Sequence, residues 1–226
     1  MRIFRRLHVQ PYTLTPWLRR PAASTMRLSG ACLVLLALGM MWSARITFAG
    51  DTYVSGLGAH GEITASAFNT SLGMVAAGGA LSAVGLWGLT SWRGRLGGLP
   101  LGATLLITSA MFAVAASVPC STGCPLPLSQ GAEIQDLIHT SAAVLGFALA
   151  GIAILQTLGI GRRYTLIAAP SIVLVILASV TGGLLSLAGS TTALGGWLEL
   201  IAASAALFWL ASVAVLTQFQ AMDQRA

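Results

Sequence analysis

Six apolar runs separated by short polar connections constrain this chain more than any other feature. A helix crossing the ~30 Å hydrocarbon core of a bilayer needs about 20 mostly apolar residues. Runs of that kind extend over Leu28–Phe48, Thr70–Trp92, Leu99–Val118, Ile134–Leu158, Thr165–Leu187 and Leu194–Phe219. Charge is correspondingly scarce: Asp, Glu, Lys and Arg make up 8% of the residues, against about 25% in ordinary soluble domains. A water-facing surface cannot be covered from that supply. A cytosolic enzyme, a disordered chain and a disulfide-dense secreted module are thereby excluded. The fold expected is all-α, a polytopic membrane bundle of six transmembrane helices.

The net charge of +6 comes from twelve basic residues, all of them Arg. They fall at the ends of apolar runs. Arg2, Arg5, Arg6, Arg19, Arg20 and Arg27 precede the first run; Arg93 and Arg95 divide the second from the third, Arg162 and Arg163 the fourth from the fifth, and Arg225 lies in the tail. Threaded six times, the chain carries these eleven on one side, and only Arg45 on the other. That is a topology signal rather than a nucleic-acid surface. It places both termini in the cytoplasm and the protein in the cytoplasmic membrane. The expected organisation is a basic arm over residues 1–27, a membrane domain over 28–219 and a cytoplasmic tail over 220–226. The arm, rich in Arg and Pro, is expected to lie on anionic headgroups.

The outer connections, Ala49–Asn69 and Pro119–Glu133, are long enough to fold over the mouth of the bundle. Small residues crowd the second run (Gly73, Gly78, Gly79, Gly85 and Gly88) and the fourth (Ala143, Gly146, Ala150 and Gly151). In lipid such residues let helix backbones approach closely, within one bundle or across a homo-oligomer seam.

The residues that can carry chemistry gather near the outer side. Cys120 and Cys124 bracket Ser121-Thr122-Gly123 in an oxidising location, where a disulfide is the leading reading. Metal binding through both thiolates and a labile redox pair are the alternatives, although two thiolates leave a zinc or copper site short of ligands. His139 could complete such a site, with Asp136 three residues earlier to orient its ring. Glu199 is a carboxylate inside an apolar run and must face the bundle and find a partner, or be protonated; Arg45, at similar depth, is the expected partner. Arg45, Asp51, His60, Asp136, His139 and Glu199 form the expected polar cluster, either a structural latch or a ligand pocket. The chain has no zinc-protease His-Glu-x-x-His, nucleophile elbow, phosphate loop or dinucleotide fingerprint. No catalytic set, metal or cofactor is therefore expected.

Ser55-Gly56-Leu57-Gly58-Ala59 followed by Ala67-Phe68-Asn69 resembles the first outer signature of the domain-of-unknown-function family numbered 998. Pro119, Gly123-Cys124-Pro125 and His139 resemble its second. The family often has an acidic residue after the proline, where this chain has Cys120 and Ser121. The resemblance implies a six-helix integral membrane protein of bacteria and archaea without an established reaction. The leading expectation is a non-enzymatic accessory or lipid-interacting protein, its partners membrane lipids, with a homo-oligomer or a larger membrane complex as further candidates and no nucleic acid. A small transporter or membrane enzyme using Glu199, Asp136 and His139 is the alternative. Alkaline phosphatase fused after Gly131 is expected to be active in cells, and inactive when fused after Gly161; the reverse pattern would invert the orientation.

Overall fold

The computed structural model describes residues 15–90, 98–187 and 192–224. Arg2, Arg5, Arg6, Arg93, Arg95 and Arg225 of the topology signal lie outside them. Among the described residues there are six α-helices and no strand: α1 (Pro21–Thr47), α2 (Ala65–Gly85), α3 (Leu101–Ser117), α4 (Ile134–Thr157), α5 (Arg162–Leu187) and α6 (Thr192–Asp223). All but α3 are long and apolar enough to cross a membrane; α3 is apolar but has 17 residues. This is an all-α bundle of the polytopic membrane class.

Helices that follow one another in sequence are neighbours in space, and α6 closes back on α1, so the six form a ring. The ring is uneven. α3 packs chiefly on its two neighbours and α5 chiefly on α6, whereas α4 and α5 touch sparsely. The tightest seam joins α1 to α2 and is made of glycine. A Cβ on Gly30 would stand 2.7 Å from the carbonyl oxygen of Gly78, and one on Gly85 would stand 2.8 Å from the Arg27 amide nitrogen. Both distances are below contact, so Gly78 and Gly85 of the second run serve close helix approach within the chain.

Two helices, α1 and α2, are placed differently from the sequence expectation. α1 opens at Pro21 rather than Leu28, preceded by a 3-10 turn over Pro16–Arg19. Leu18 and Ala23 are fully buried, so the second half of the expected surface arm is part of the bundle. α2 runs from Ala65 to Gly85 rather than from Thr70 to Trp92. The last carbonyls of a helix have no partner within it. Those of α2 are met from the segment before and inside α1: Trp17 Nε1 donates to Val84 O at 2.9 Å and Arg27 Nη1 to Gly85 O at 2.9 Å. The chain then turns away through Gly88 at φ +89°, a left-handed conformation natural to glycine.

Arg27, counted from sequence among the topology charges, is completely buried. Its Nη2 also donates to Leu18 O at 3.0 Å and Gln218 Oε1 at 2.8 Å. One guanidinium thus ties the amino-terminal turn, the end of α2 and α6 together, with its charge at the negative pole of α2. Arg27→Met strands these acceptors away from water. It is expected to destabilise the bundle by about 2–4 kcal/mol, read as a lowered thermal midpoint in detergent; an unchanged midpoint would refute the lock.

Candidate functional site

The site is built by two loops at the bundle end opposite the described termini. The first, between α1 and α2, makes a 3-10 turn over Ser55–Gly58 that sinks Leu57 and Ala59 completely. Gly58 fits closely there: a Cβ would stand 2.7 Å from the Phe68 ring, and Asn69 Nδ2 donates to Gly58 O at 2.9 Å. Thr64 Oγ1 donates to Leu57 O at 2.7 Å. The Ser-Gly-Leu-Gly-Ala run and the Phe-Asn pair are therefore two halves of one packing unit.

The second loop is fastened to the first. The His60 amide donates to Cys120 O at 3.0 Å and Thr122 Oγ1 to His60 O at 3.3 Å. The sulfurs of Cys120 and Cys124 are in bonding contact, with Cα atoms 4.9 Å apart. Gly123 and Cys124 both take left-handed conformations, at φ +79° and +46°, which folds the short segment back on itself. Cys124 Sγ lies 3.5 Å from Ser55 Oγ, and Ala59 packs against both cysteines.

Asp136 holds this loop rather than His139. Its Oδ1 accepts from the Ser121 amide at 2.8 Å; its Oδ2 accepts from Ser121 Oγ at 2.7 Å and from the Glu133 amide at 2.8 Å. With Glu133 it forms a reciprocal capping box at the start of α4, the favourable place for a carboxylate on a helix. The two sulfurs and a carboxylate oxygen of Asp136 lie within 4.8 Å of one another. Three donors already occupy that carboxylate, and His139 is turned elsewhere, so the group offers a poor ligand set for a metal. The His139 ring is buried, and its Nδ1 lies 2.9 Å from both Ala115 O and Val118 O. Carbonyl oxygens only accept, so Nδ1 carries the hydrogen; in the neutral ring Nε2 is then an acceptor.

The expected Arg45–Glu199 pair is not formed. Arg45 is 5% exposed; its Nη1 donates to Gly50 O at 3.1 Å and its guanidinium stacks 4.6 Å from the Trp197 ring centre. Glu199 Oε2 instead accepts the Val54 amide at 3.0 Å. Gly196 makes this possible, because any side chain there would strike the backbone at Thr52. Backbone groups, rather than an opposite charge, partner both side chains, and both residues pin the first loop to the bundle. Asp51 and His60 have exposed side chains and do not join them.

Composition concealed the main feature, a cavity of about 700 Å³ inside the ring. At the loop end it is lined by Ser55, His139, Thr140 and Glu199, and at its floor by Leu155, Trp209 and Leu210. From His139 to Leu155 it follows α4 for roughly 24 Å at 1.5 Å per residue. Val144 of α4 and Ile176 and Val180 of α5 also line it, yet each is more than half exposed. The cavity thus opens sideways where α4 and α5 part. Thr108 and Ser109 line it too, but their hydroxyls donate to carbonyls one turn back, at 2.9 and 2.8 Å.

Residues 49–216 match the family described as protein of unknown function (DUF998). The chain belongs to this family. The matched span starts just after α1 and takes in both loops, the cavity-lining residues from Val54 onward and most of α6. No curated protein and no solved structure matches the chain. Membership in DUF998 therefore brings no reaction with it, and the site must be read from its own chemistry.

Asp136→Ala removes the acceptor of three donors, two of them buried, and half of the capping box. It is expected to cost about 1–3 kcal/mol and to make the Ser121–Gly123 turn sensitive to protease in detergent; wild-type resistance and midpoint would show that the carboxylate does not hold the loop.

Proposed function

We propose that this DUF998 protein binds a membrane amphiphile, taken laterally from the bilayer between α4 and α5, with its chain in the apolar cavity and its head at the loop end. The observation that carries the reading is the combination of a long apolar cavity with polar groups at one end and a side opening bordered by lipid-facing residues. A volume of about 700 Å³ lies within the roughly 300–1,000 Å³ usual for small-molecule sites. Only a ligand already dissolved in the membrane meets such an opening.

The same reading has all six helices crossing the cytoplasmic membrane with both termini inside, supported by the distribution of Arg, so the head sits in the outer leaflet. A disulfide between Cys120 and Cys124 closes the second loop and braces the cap over the cavity. The role is binding or accessory rather than transport or catalysis. Asp136 is committed to the loop and does not line the cavity. The floor is closed by Leu155, Trp209 and Leu210, with no ionisable group to continue a polar path.

Gly151 lines the cavity, and a Cβ there would meet only Ile172 Cδ1, at 3.8 Å. Gly151→Leu is therefore expected to fill the middle of the cavity without disturbing the helices. Native mass spectrometry of the purified protein should find lipid on the wild type and little on the variant, with the same helix content. Equal lipid occupancy on both would refute the assignment.

A further inference from the structure

The cavity's polar end has a chemical sign. Its two strongest groups are Glu199, with Oε2 taken by the Val54 amide, and His139, with Nδ1 committed to the carbonyls of Ala115 and Val118. What each has left for a ligand is Oε1 of the carboxylate and Nε2 of the ring. Neither atom is among the buried polar atoms sealed off without a partner, and both residues line the cavity. Both are acceptors, the carboxylate when ionised and the imidazole when neutral.

No guanidinium answers them. No Arg lines the cavity among the described residues, and the sequence has no Lys. Arg45, the cation at this end of the bundle, is held by Gly50 O and the Trp197 ring. The remaining polar lining at this end, Ser55 and Thr140, is hydroxyl. A phosphate or sulfate head entering the site would bring its charge against Glu199 with no opposite charge to receive it, at a cost that low dielectric magnifies. A head that donates hydrogen bonds meets two waiting acceptors.

We propose that the cavity selects amphiphiles with an O–H or N–H donor head, a long-chain alcohol or amine, and rejects those with an anionic phosphate head. This rests on the amphiphile reading above and specifies its ligand class. The test uses the full-length protein in detergent and three ligands with the same chain: hexadecanol, hexadecylamine and hexadecyl phosphate. Binding is read by native mass spectrometry and by displacement of the co-purified lipid. The alcohol, the amine or both should bind at least about tenfold tighter than the phosphate, the factor expected from one hydrogen bond to a charged group.

Glu199→Gln keeps an acceptor for the Val54 amide but removes the charge. It should weaken the amine about tenfold while leaving the alcohol within a small factor, and it should narrow the gap to the phosphate. Tighter binding of the amine, lost in the variant, identifies an ammonium head; tighter binding of the alcohol in both proteins identifies a hydroxyl head. Hexadecyl phosphate binding as well as or better than the others would overturn the head assignment and leave the cavity reading standing. No binding by any of the three, with lipid occupancy unaffected by Gly151→Leu, would overturn the cavity reading itself.

Discussion

A medium that offers no hydrogen bonds obliges every backbone group leaving a helix to find a partner in the protein, and the main polar contacts of this bundle answer that demand. Trp17 and Arg27 serve the last carbonyls of α2. His139 serves carbonyls at the end of α3, and Asp136 with Glu133 serves the first amides of α4. Glu199 receives a loop amide, and Arg45 covers a loop carbonyl. Residues that resemble a catalytic or ion-pair set in sequence are, for the most part, caps. Their conjunction at one end of the bundle follows from where the helices stop.

At the other end, neutral groups share this work with Arg27. Gln156 Nε2 donates to Leu99 O at 2.9 Å and to Thr104 Oγ1 at 3.1 Å; Tyr164 hydroxyl bonds Gln220 at 2.8 Å, and Trp209 Nε1 donates to Thr157 Oγ1 at 3.2 Å. Between the two polar ends lies the apolar cavity. The bundle is thus tied at top and bottom and loose in its middle, where α4 and α5 separate. A ring of six helices closed through successive neighbours leaves a centre that its own side chains do not fill, because few contacts cross it. Small residues at Ala143, Gly151 and Ala203 enlarge the space further.

Much of the fold was legible in the sequence because the bilayer reduces folding to a length criterion. About twenty apolar residues make a crossing. The errors came where a local rule met a tertiary partner. The apolar run began at Thr70, after the polar Asn69; the helix starts at Ala65 because Asn69 bonds Gly58 O and Phe68 packs on the first loop. Arg27 was grouped with the surface charges because nothing in its neighbours indicates that a helix end lies opposite. The gathering of Arg45, Asp136, His139 and Glu199 at one end of the bundle was visible from depth along each run. Their partners were not, because depth carries no information about direction around a helix axis. Glu199 was given Arg45 on that ground, and the structure gives it a backbone amide instead.

By itself, the sequence determined the solvent, the all-α class, the number of helices and the end at which most of its acidic side chains collect with Cys120 and Cys124, since hydropathy and charge are properties of residues read along a line. Only the tertiary structure decided that Arg27 is a buried clamp, that Asp136 belongs to the cysteine loop, and that His139 and Glu199 look into a cavity open between α4 and α5. Those are facts of azimuth and of distance between remote segments. They arise from how unevenly neighbouring helices fit together, which no pattern along the chain records.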